Sequence, residues 1–247
     1  MSVRLDRLLA NLGYGSRREV QGLIARGQVR LDDQIMRDGS AHVTADADLP
    51  GRMTVVGAPL DPPSPLTVIL HKPTGVVCAH NEAGRSIYEL LPRRWRARTP
   101  ALSTIGRLDA DTSGLILITD DGGLLHKIIS PKRHVPKRYL ASLDRPLTGE
   151  EGALFAAGGL MLEGETKPLA PAVLEPLGEK AARLTIQEGR YHQVRRMFAA
   201  AGNHVVTLRR EAIGGLELTD DLEPGAWRIA TEADIAGCWA RCRNASP

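Results

Sequence analysis

The sequence is short of cysteine and of long apolar runs, and each of these shortages excludes a class of protein. Three cysteines among 247 residues form no disulfide framework, and Cys238 with Cys242 supplies too few ligands for a zinc site. No run reaches the roughly 18 apolar residues of a membrane span, and the N-terminus is amphipathic rather than a secretion signal. A net charge of +3 does not by itself indicate nucleic acid. We expect a soluble, untargeted protein of a reduced, cytoplasmic compartment.

The N-terminal stretch has the pattern of two short helices followed by a hairpin. Apolar residues at spacings of three and four between positions 5 and 12 define one helical face. Ser16 and Glu19 have the spacing of a capping box, which predicts a second helix. In segment 29–35, the pair Asp32-Asp33 separates two short apolar runs, as in a small hairpin.

Arginines surround this N-terminal unit, several of them at or just before a helix start, where guanidinium groups and backbone donors can meet the same phosphate. They are Arg4, Arg7, Arg17, Arg18, Arg26 and Arg30. An ordinary solvated basic surface is the alternative, and charge alone does not decide between the two.

The stretch GAPLDPPSP, residues 57–65, is the clearest linker, because its prolines exclude a regular helix or a central strand. We therefore expect a small domain over residues 1–57, a linker over 58–65 and a larger domain over 66–247. In the larger domain, short strand-like runs such as LTVIL, LILIT, RYLASL and RLTIQ are mixed irregularly with helical patterns. This irregular order predicts an α+β fold rather than a doubly wound sheet.

The segment GRLDADTSGLILITDDG, residues 106–122, concentrates acidic residues around an apolar run, and three hypotheses compete for them. The first is calcium, since five residues fit positions 1, 3, 5, 6 and 12 of an EF-hand loop: Asp109, Asp111, Ser113, Gly114 and Asp120. The run LILIT argues against a calcium loop, because it should form a strand. The second hypothesis is a phosphatase-like aspartyl nucleophile, but the apolar run lies on the wrong side of the acids.

The third hypothesis keeps one acid, Asp109, for chemistry. Gly106 and Gly114 then shape its loop, and LILIT anchors the loop in the core. The other aspartates, Asp111, Asp120 and Asp121, become turn or capping residues, which is the usual role of Asp beside Gly.

The string G-R-L-D-x-x-T-x-G followed by LILIT resembles the catalytic motif of the RsuA-type pseudouridine synthases. HKPTGVV (71–77) is similar to their Lys-Pro-x-Gly turn, although His71 departs from the more usual Asn or Arg. SPKRHVPKRYL (130–140) resembles their Lys-x-Tyr segment, and EGRYHQVRRMFAAAGNHV (188–205) their C-terminal signature. The N-terminal unit resembles their S4-type RNA-binding domain. The resemblance implies a mixed, largely antiparallel sheet flanked by helices, preceded by a small S4-like α/β domain.

The resemblance also implies an activity, the isomerisation of a uridine in ribosomal RNA, without metal or cofactor. Its catalytic residues would be Asp109, Tyr139 against the target base, and Arg195 paired with Asp109. Without the resemblance, Tyr139 could be a core aromatic and Arg195 a solvent-facing charge. The expected substrate-binding residues are Arg107, Lys72, Arg196 and Lys137, and the expected RNA-binding residues are Arg4, Arg17, Arg18, Arg26 and Arg133.

Basic clusters at 93–98 (RRWRAR) and 131–138 (PKRHVPKR) offer further phosphate contacts, and Trp95 could either stack on a base or anchor its loop. The stretch HQVRRMFAAAGNHVV and the Ser-Pro-basic run before Lys137 most resemble family members that act on the 16S rRNA of the small subunit. Relatives acting on the large subunit more often have Asn-Arg in place of Tyr191 and His192. We expect a monomer that acts on 16S rRNA or on an assembling subunit. A synthase acting on 23S rRNA, or a non-catalytic RNA-binding assembly factor that would not need Asp109, remain the alternatives.

Overall fold

In the computed structural model of the chain, residues 2–79 and 83–240 are described, so Cys242 lies outside the described residues. The chain divides into two compact units. The first comprises the chain up to Thr67 together with Tyr88–Ser103 and Ile118–Gly122. The second comprises Val68–Ile87, Thr104–Leu117 and the chain from Gly123 onward. Among these described residues, none of the helices combines the length and the apolar character needed to cross a bilayer.

The N-terminal part of the first unit contains the two helices and the hairpin that the sequence predicts. Its elements are β1 (Ser2–Arg4), α1 (Leu5–Asn11), α2 (Arg17–Ala25), β2 (Val29–Leu31), β3 (Gln34–Ile35), β4 (His42–Thr44), α3 (Leu49–Arg52), β5 (Met53–Val55) and β6 (Ala58–Pro59). Strands β1 and β4 pair with each other, and the remaining four form a sheet in the order β3-β2-β5-β6. Two residues predicted as linker, Ala58–Pro59, therefore form an edge strand, a position that tolerates proline.

Local chemistry explains these elements. The capping box of α2 is complete, since the Ser16 hydroxyl accepts from the Glu19 backbone while the Glu19 carboxylate accepts from the Ser16 backbone. The turn between β2 and β3 places Asp32 and Asp33 at φ 47° and 63°. Asp tolerates this left-handed conformation, which suits a two-residue hairpin. Helices α1 and α2 bury their apolar faces in one core, which includes Leu5, Leu9 and Val20.

The later segments of the first unit are held by a buried ion pair. The Arg98 guanidinium lies 3.0 Å from the Asp120 carboxylate, and both side chains are 1% exposed. Asp120 also accepts from the Leu66 backbone at 2.7 Å and from the Ser64 hydroxyl at 3.1 Å. Asp120 is thus a buried structural acid that joins three chain segments, and not the simple turn or capping residue expected from its neighbours.

The basic cluster 93–98 is in part structural, which restricts its assignment to phosphate contacts to the exposed Arg93 and Arg96. Arg94 pairs with Asp61 at 2.6 Å and lies over the Tyr14 ring, 4.2 Å from its centroid. Trp95 is 3% exposed, so it anchors its segment and cannot stack on a base. With Arg98 committed to Asp120, two of the four arginines of RRWRAR are neutralised inside the unit.

From residue 67 onward, the chain forms a large sheet with short helices. The strands are β7 (Thr67–Lys72), β8 (Val76–Val77), β9 (Arg85–Ser86), β10 (Ser103–Thr104), β11 (Thr112–Thr119), β12 (Lys137–Leu143), β13 (Val173–Gly178), β14 (Ala181–Ile186), β15 (Val205–Ile213), β16 (Leu216–Glu217) and β17 (Trp227–Ile229). The helices are α4 (Gly122–Ile129), α5 (Glu151–Ala157), α6 (Gln193–Ala200) and α7 (Glu232–Gly237). Three 3₁₀ turns span Ile87–Leu90, Arg93–Ala97 and Pro131–Arg133.

The sheet order is β13-β14-β12-β15-β11-β7-β17, with β10 beside β11 and β16 beside β15. Strands β11 and β15 are parallel, whereas β12 is antiparallel to both β14 and β15. The pairings of β13 with β14 and of β17 with β7 are antiparallel as well. The prediction of an α+β fold with a mixed, largely antiparallel sheet is confirmed.

The pairing of β11 with β15 leaves no room for a side chain at Gly114. In the register of the two strands it lies opposite Arg210, and its φ of +113° belongs to the region that favours glycine. A Cβ atom at this position would meet the Arg210 carbonyl oxygen and lie 2.5 Å from the Arg210 nitrogen. The sequence assigned Gly114 to shaping the Asp109 loop, and the structure places it inside the strand that follows this loop.

We predict that Asp120→Asn destabilises the first unit by about 3 kcal/mol, because the Arg98 guanidinium stays buried without its countercharge. Urea unfolding followed by circular dichroism measures the loss. The matched control is Asp32→Asn, which removes a carboxylate from the Arg52 pair, where the side chains are 49% and 54% exposed. Equal losses in the two variants would contradict the importance of the buried pair.

We predict that Gly114→Ala costs about 3 kcal/mol or more, because the new methyl group must push β11 and β15 apart and Ala must adopt a positive φ. The thermal unfolding midpoint reports this loss. Gly178→Ala is the control, since a Cβ at Gly178 meets nothing within 4 Å. A wild-type midpoint for Gly114→Ala would show that the two strands are not held at this distance.

Candidate active site

A cavity of about 640 Å³ opens in the second unit, a volume in the range of about 300–1,000 Å³ that is typical of small-ligand sites. Its walls come from the loop that precedes β11, from strands β12 and β15, and from the segment between β14 and α6. Asp109, Arg107, Lys137 and Tyr139 all line it. These four residues, predicted from two separate motifs, are therefore brought together.

The loop that carries Asp109 is fixed by backbone hydrogen bonds and by one buried lysine. The Thr112 nitrogen donates to the Asp109 carbonyl at 3.0 Å, and the Gly75 nitrogen donates to the Ala110 carbonyl at 2.7 Å. Lys72 is 0% exposed. Its ammonium donates to the carbonyls of Pro73, Ala110 and Thr112 at 3.0, 3.4 and 2.8 Å, and burial lowers its pKa.

Lys72 was predicted to bind substrate, and the structure corrects this role. Its ammonium has three backbone acceptors, the number of hydrogen bonds that a lysine can donate, and its side chain does not line the cavity. Lys72 therefore stabilises the Asp109 loop through its backbone carbonyls. The sequence could not separate the two roles, because both require a lysine beside this turn.

The Asp109 carboxylate is half-buried and lies beside a histidine. His192 Nε2 lies 3.3 Å from Asp109 Oδ1. His192 adopts a left-handed φ of 48° immediately before α6, and its ring stacks on Tyr191 with centroids 3.8 Å apart. The sequence did not single out His192 for chemistry, although it lies inside the quoted C-terminal signature.

The predicted pair of Asp109 with Arg195 is replaced by another pair. Arg195 Nη2 lies 2.9 Å from Asp111 Oδ2, and Nη1 donates to the Val205 carbonyl at 2.8 Å. Arg195 thus contacts the catalytic loop two residues beyond the expected acid. Asp111, expected to be a turn residue, is the anchor that ties α6 to this loop.

Arg196 was predicted to contact substrate, but it faces a different loop. Its guanidinium pairs with Glu165 at 3.0 Å and donates to the carbonyls of Glu163 and Tyr191. Arg190 joins the same group through Glu165 and the carbonyls of Lys167 and Pro168. Arg196 is therefore a structural residue, and Arg190, which lines the cavity, was missed by sequence reasoning.

Tyr139 and Lys137 lie two residues apart on β12, and both line the cavity. Tyr139 is 8% exposed, so its ring is packed on the protein while part of it still reaches the cavity. Arg210 of β15 lies opposite Tyr139 in the register of the two strands and also lines the cavity. Arg210 was missed from sequence, although a charged residue at an inward strand position was a usable signal.

The cations of this wall influence one another. Burial, and then the charge of Arg210, lower the pKa of Lys137 from 10.5 to about 8. Its strand neighbour Arg138 points to the opposite face, where it pairs with Glu211 at 3.4 Å and Glu217 at 3.1 Å. Of the predicted cluster 131–138, Lys137 is thus in the cavity and Arg138 is neutralised.

The arginines predicted to bind RNA differ in their exposure to solvent and in their contacts with acidic residues. Arg17, Arg18, Arg26 and Arg133 are exposed. Arg4 makes two hydrogen bonds to the Asp6 carboxylate, at 2.7 and 3.2 Å, and this contact holds the pKa of Asp6 below its usual value. The Ser16 and Glu19 backbone donors at the start of α2 are already used by the capping box, so a phosphate there would meet chiefly side chains.

The calcium hypothesis fails on geometry. Thr112–Thr119 is a continuous strand, which extends at about 3.3 Å per residue and cannot wrap around an ion. Asp120, the proposed twelfth ligand, is occupied by Arg98. Over residues 2–79 and 83–240, no group of three or more His, Cys, Asp or Glu side chains could hold a metal ion.

Cys238 is buried, and burial raises its pKa to about 11.

Comparison with known proteins identifies both parts of the chain. A family model described as RNA pseudouridylate synthase matches residues 66–200, and a model described as S4 domain matches residues 3–49. The chain is 39% identical over 241 residues to the ribosomal small subunit pseudouridine synthase A of Vibrio cholerae, covering 96% of this chain and 100% of that one. The Escherichia coli protein of the same name is 41% identical over 239 residues, covering 95% and 99%.

A solved structure agrees with the sequence relatives. The chain superposes on a crystal structure of a pseudouridylate synthase with a TM-score of 0.67 and 37% identity, covering 96% of this chain and 99% of that one. A family model that matches more than half of the chain and relatives near 40% identity over almost their whole length agree on one assignment. The chain belongs to the RNA pseudouridylate synthase family.

Proposed function

We propose that this protein converts a uridine of ribosomal RNA, in the small subunit, to pseudouridine, with Asp109 as the catalytic residue. The observation that carries the proposal is the cavity in which the Asp109 carboxylate, Tyr139 and Lys137 lie together. Asp109 belongs to the loop before β11, whereas Tyr139 and Lys137 lie two residues apart on β12. They provide a carboxylate, an aromatic ring and a cation, which are the groups that a detached nucleobase and its ribose require.

The carboxylate acts on the ribose. When the bond from C1′ to uracil N1 breaks, positive charge develops at C1′, and an ionised carboxylate can attack this carbon or balance its charge. The uracil then turns in the cavity and its C5 bonds to C1′, after which the proton of C5 is lost. His192, 3.3 Å from Asp109, orients the carboxylate at the wall of the cavity.

Tyr139 acts on the base. Its largely buried ring lines the cavity, where it can stack on uracil. Its hydroxyl can assist removal of the C5 proton once the new bond has formed. A rigidly packed tyrosine is suited to both tasks, because the base must change orientation while the ring stays in place.

The RNA must present the uridine outside a helix. A stacked and paired nucleotide cannot bring C1′ to Asp109, so the target is single-stranded or flipped out, which costs a few kcal/mol. Arg107 is exposed beside Asp109 and lines the cavity, so it can contact the phosphate of the extruded nucleotide. Exposed arginines of the first unit, Arg17, Arg18 and Arg26, together with Arg133, supply further phosphate contacts.

The finer assignments belong to the same proposal. We assign residues 1–57 to RNA docking, 58–65 to the connection and 66–247 to catalysis, in line with the family matches over 3–49 and 66–200. The names of the relatives and the presence of Tyr191 and His192 support 16S rRNA as the substrate. A monomer acting in the cytoplasm, where it meets this RNA during subunit assembly, completes the proposal.

We predict that Asp109→Asn abolishes tritium release from RNA that carries tritium at uracil C5, with a loss of at least about three orders of magnitude. The assay is run in EDTA, and RNA binding should stay near the wild-type value. Asp111→Asn is the matched control and should remain within about tenfold, because Asp111 lies outside the cavity wall. Full activity in Asp109→Asn would overturn the assignment of Asp109 as the catalytic residue, whereas no tritium release with the wild-type protein would support the non-catalytic RNA-binding alternative.

We predict that the double variant Arg17→Ala, Arg18→Ala weakens binding to a 16S rRNA fragment and reduces the slope of log K against log salt by about one to two units. Titrations at several salt concentrations measure both quantities. Arg52→Ala is the control, since its guanidinium is already paired with Asp32 at 2.6 Å. An unchanged slope in the double variant would remove these arginines from the docking surface.

A further inference from the structure

Two cations in the cavity wall lack the carboxylate partners that the buried Arg98 and Arg138 have. Arg210 is 3% exposed, and its Nε donates to the Leu115 carbonyl at 2.8 Å. Its Nη2 is buried and has no hydrogen-bond partner within the described part of the chain. Lys137, two residues from Tyr139 on β12, also has neither a hydrogen bond nor an ion pair from its ammonium to any described residue.

The carboxylates of the cavity are engaged elsewhere. Among the residues that line it, two are acidic, Asp109 and Glu188. Asp109 lies beside His192, and Glu188 accepts from Gln193 and pairs with Arg190. Burying a guanidinium group and an ammonium group without acids is unfavourable, so this arrangement indicates a ligand that supplies electron-rich oxygen atoms.

We propose that Arg210 and Lys137 bind the carbonyl oxygens of the uracil ring and stabilise the negative charge that the ring carries while it is detached from ribose. This inference rests on the proposed function and assigns to that reaction one residue, Arg210, that the sequence did not indicate. Arg210 lies across from Tyr139 in the strand register, so the cations and the stacking ring address the same base.

The charge arises from the bond that breaks. The electron pair of the bond between C1′ and N1 leaves with uracil, and the negative charge is shared by N1, O2 and O4, while Asp109 compensates C1′. The bond from C5 to C1′ then forms with an electron pair of the ring. C5 loses its proton and N1 takes one up, so the composition of the nucleotide is unchanged. Cations at O2 and O4 therefore bind the intermediate more strongly than the neutral base, which raises kcat rather than affinity.

A phosphate of the RNA backbone is the competing ligand, and burial argues against it. Arg210 is 3% exposed and lines the cavity, whereas the phosphates of an extruded nucleotide stay connected to the chain at the mouth of the cavity. A flipped base, in contrast, enters the cavity with its carbonyl edge. The kinetic consequences of the two contacts differ, which makes them separable.

The test compares Lys137→Met with wild type in single-turnover tritium release from 16S rRNA labelled at uracil C5. We expect the rate constant to fall by about 10²-fold or more, with the Kd for RNA within twofold. The thermal midpoint should be equal or higher, since an unpaired, half-buried cation has been removed. Lys180→Met is the matched control, because it removes an exposed lysine that contacts the Asp144 carbonyl at 2.8 Å, and it should keep the wild-type rate.

Two readouts report on charge rather than on structure. With 5-fluorouridine in the RNA, fluorine stabilises the departing uracil anion, so the penalty of Lys137→Met on formation of the rearranged product should shrink about tenfold. Arg210→Lys, which keeps a cation, should retain more activity than Arg210→Met. Arg210→Met can also fail to fold because Arg210 holds the Leu115 carbonyl, whereas Lys137→Met keeps the test decisive.

The pH profile gives a third readout. The wild-type rate should fall as pH rises through about 8, where Lys137 loses its proton, and the residual rate of Lys137→Met should lack this step. The other ionisable residues that line the cavity with Lys137 are Tyr139 on its own strand, Arg210 on β15, Arg107 and Asp109 on the catalytic loop, and Glu188, Arg190, Tyr191 and His192 before α6. They are present in both proteins, so the difference between the two profiles isolates Lys137.

The outcomes are distinguishable. A wild-type rate constant in Lys137→Met overturns the inference and leaves the proposed function intact. A weaker Kd with a salt slope reduced by about one and an unchanged rate constant identifies a phosphate contact, which also overturns it. If wild-type protein releases no tritium from rRNA, the proposed function fails and this inference fails with it.

Discussion

Strands β11 and β15 pass so close to each other at Gly114 that no side chain fits between them, and the active site depends on this contact. Gly114, Arg210 and Tyr139 lie in one row across β11, β15 and β12. The Asp109 loop leads directly into β11, while Tyr139 and Lys137 belong to β12. The distance between the carboxylate and the base-binding residues is therefore set by backbone pairing in the sheet, and not by mobile side chains. A rigid scaffold of this kind suits a reaction in which the substrate itself must turn.

Three buried or half-buried cations lie near this row. Their hydrogen-bond partners show which of them has a structural role and which can bind a ligand. Lys72 uses its ammonium on three backbone carbonyls, so its charge is compensated and its position is fixed. Arg210 uses one nitrogen on the Leu115 carbonyl and keeps another unpaired, and Lys137 titrates near pH 8. Residue type and burial alone would not distinguish the roles of these three cations. The hydrogen-bond partners show that the first holds the loop, whereas the other two are available to a ligand.

Local features of the protein could be predicted from its sequence, whereas the partners of its charged residues could not. The capping box, the hairpin at Asp32-Asp33 and the strand LILIT follow from local patterns, and the motif order pointed to the α+β fold and to Asp109, Tyr139 and Lys137 in one cavity. Pairings of charges were predicted less well. Arg195 contacts Asp111, Arg196 contacts Glu165, and Asp120 is buried against Arg98. Spacing along the chain does not determine which acid an arginine meets, because long-range packing decides it. The position of Arg210 in the cavity wall also depends on long-range packing, so the sequence did not indicate it.

The shape of uracil explains why a pair of cations suits this reaction better than a single one. A half-turn about the axis through N3 and C6 exchanges N1 with C5 and, at the same time, O2 with O4. The ring that turns between bond breaking and bond making therefore presents a carbonyl oxygen in the same two places before and after. Cations fixed on neighbouring strands can hold both oxygens at the start and at the end, while Asp109 remains with the ribose. The cavity thus has one group for the carbon that stays and two for the base that turns, which keeps the detached uracil from leaving before C5 reaches C1′.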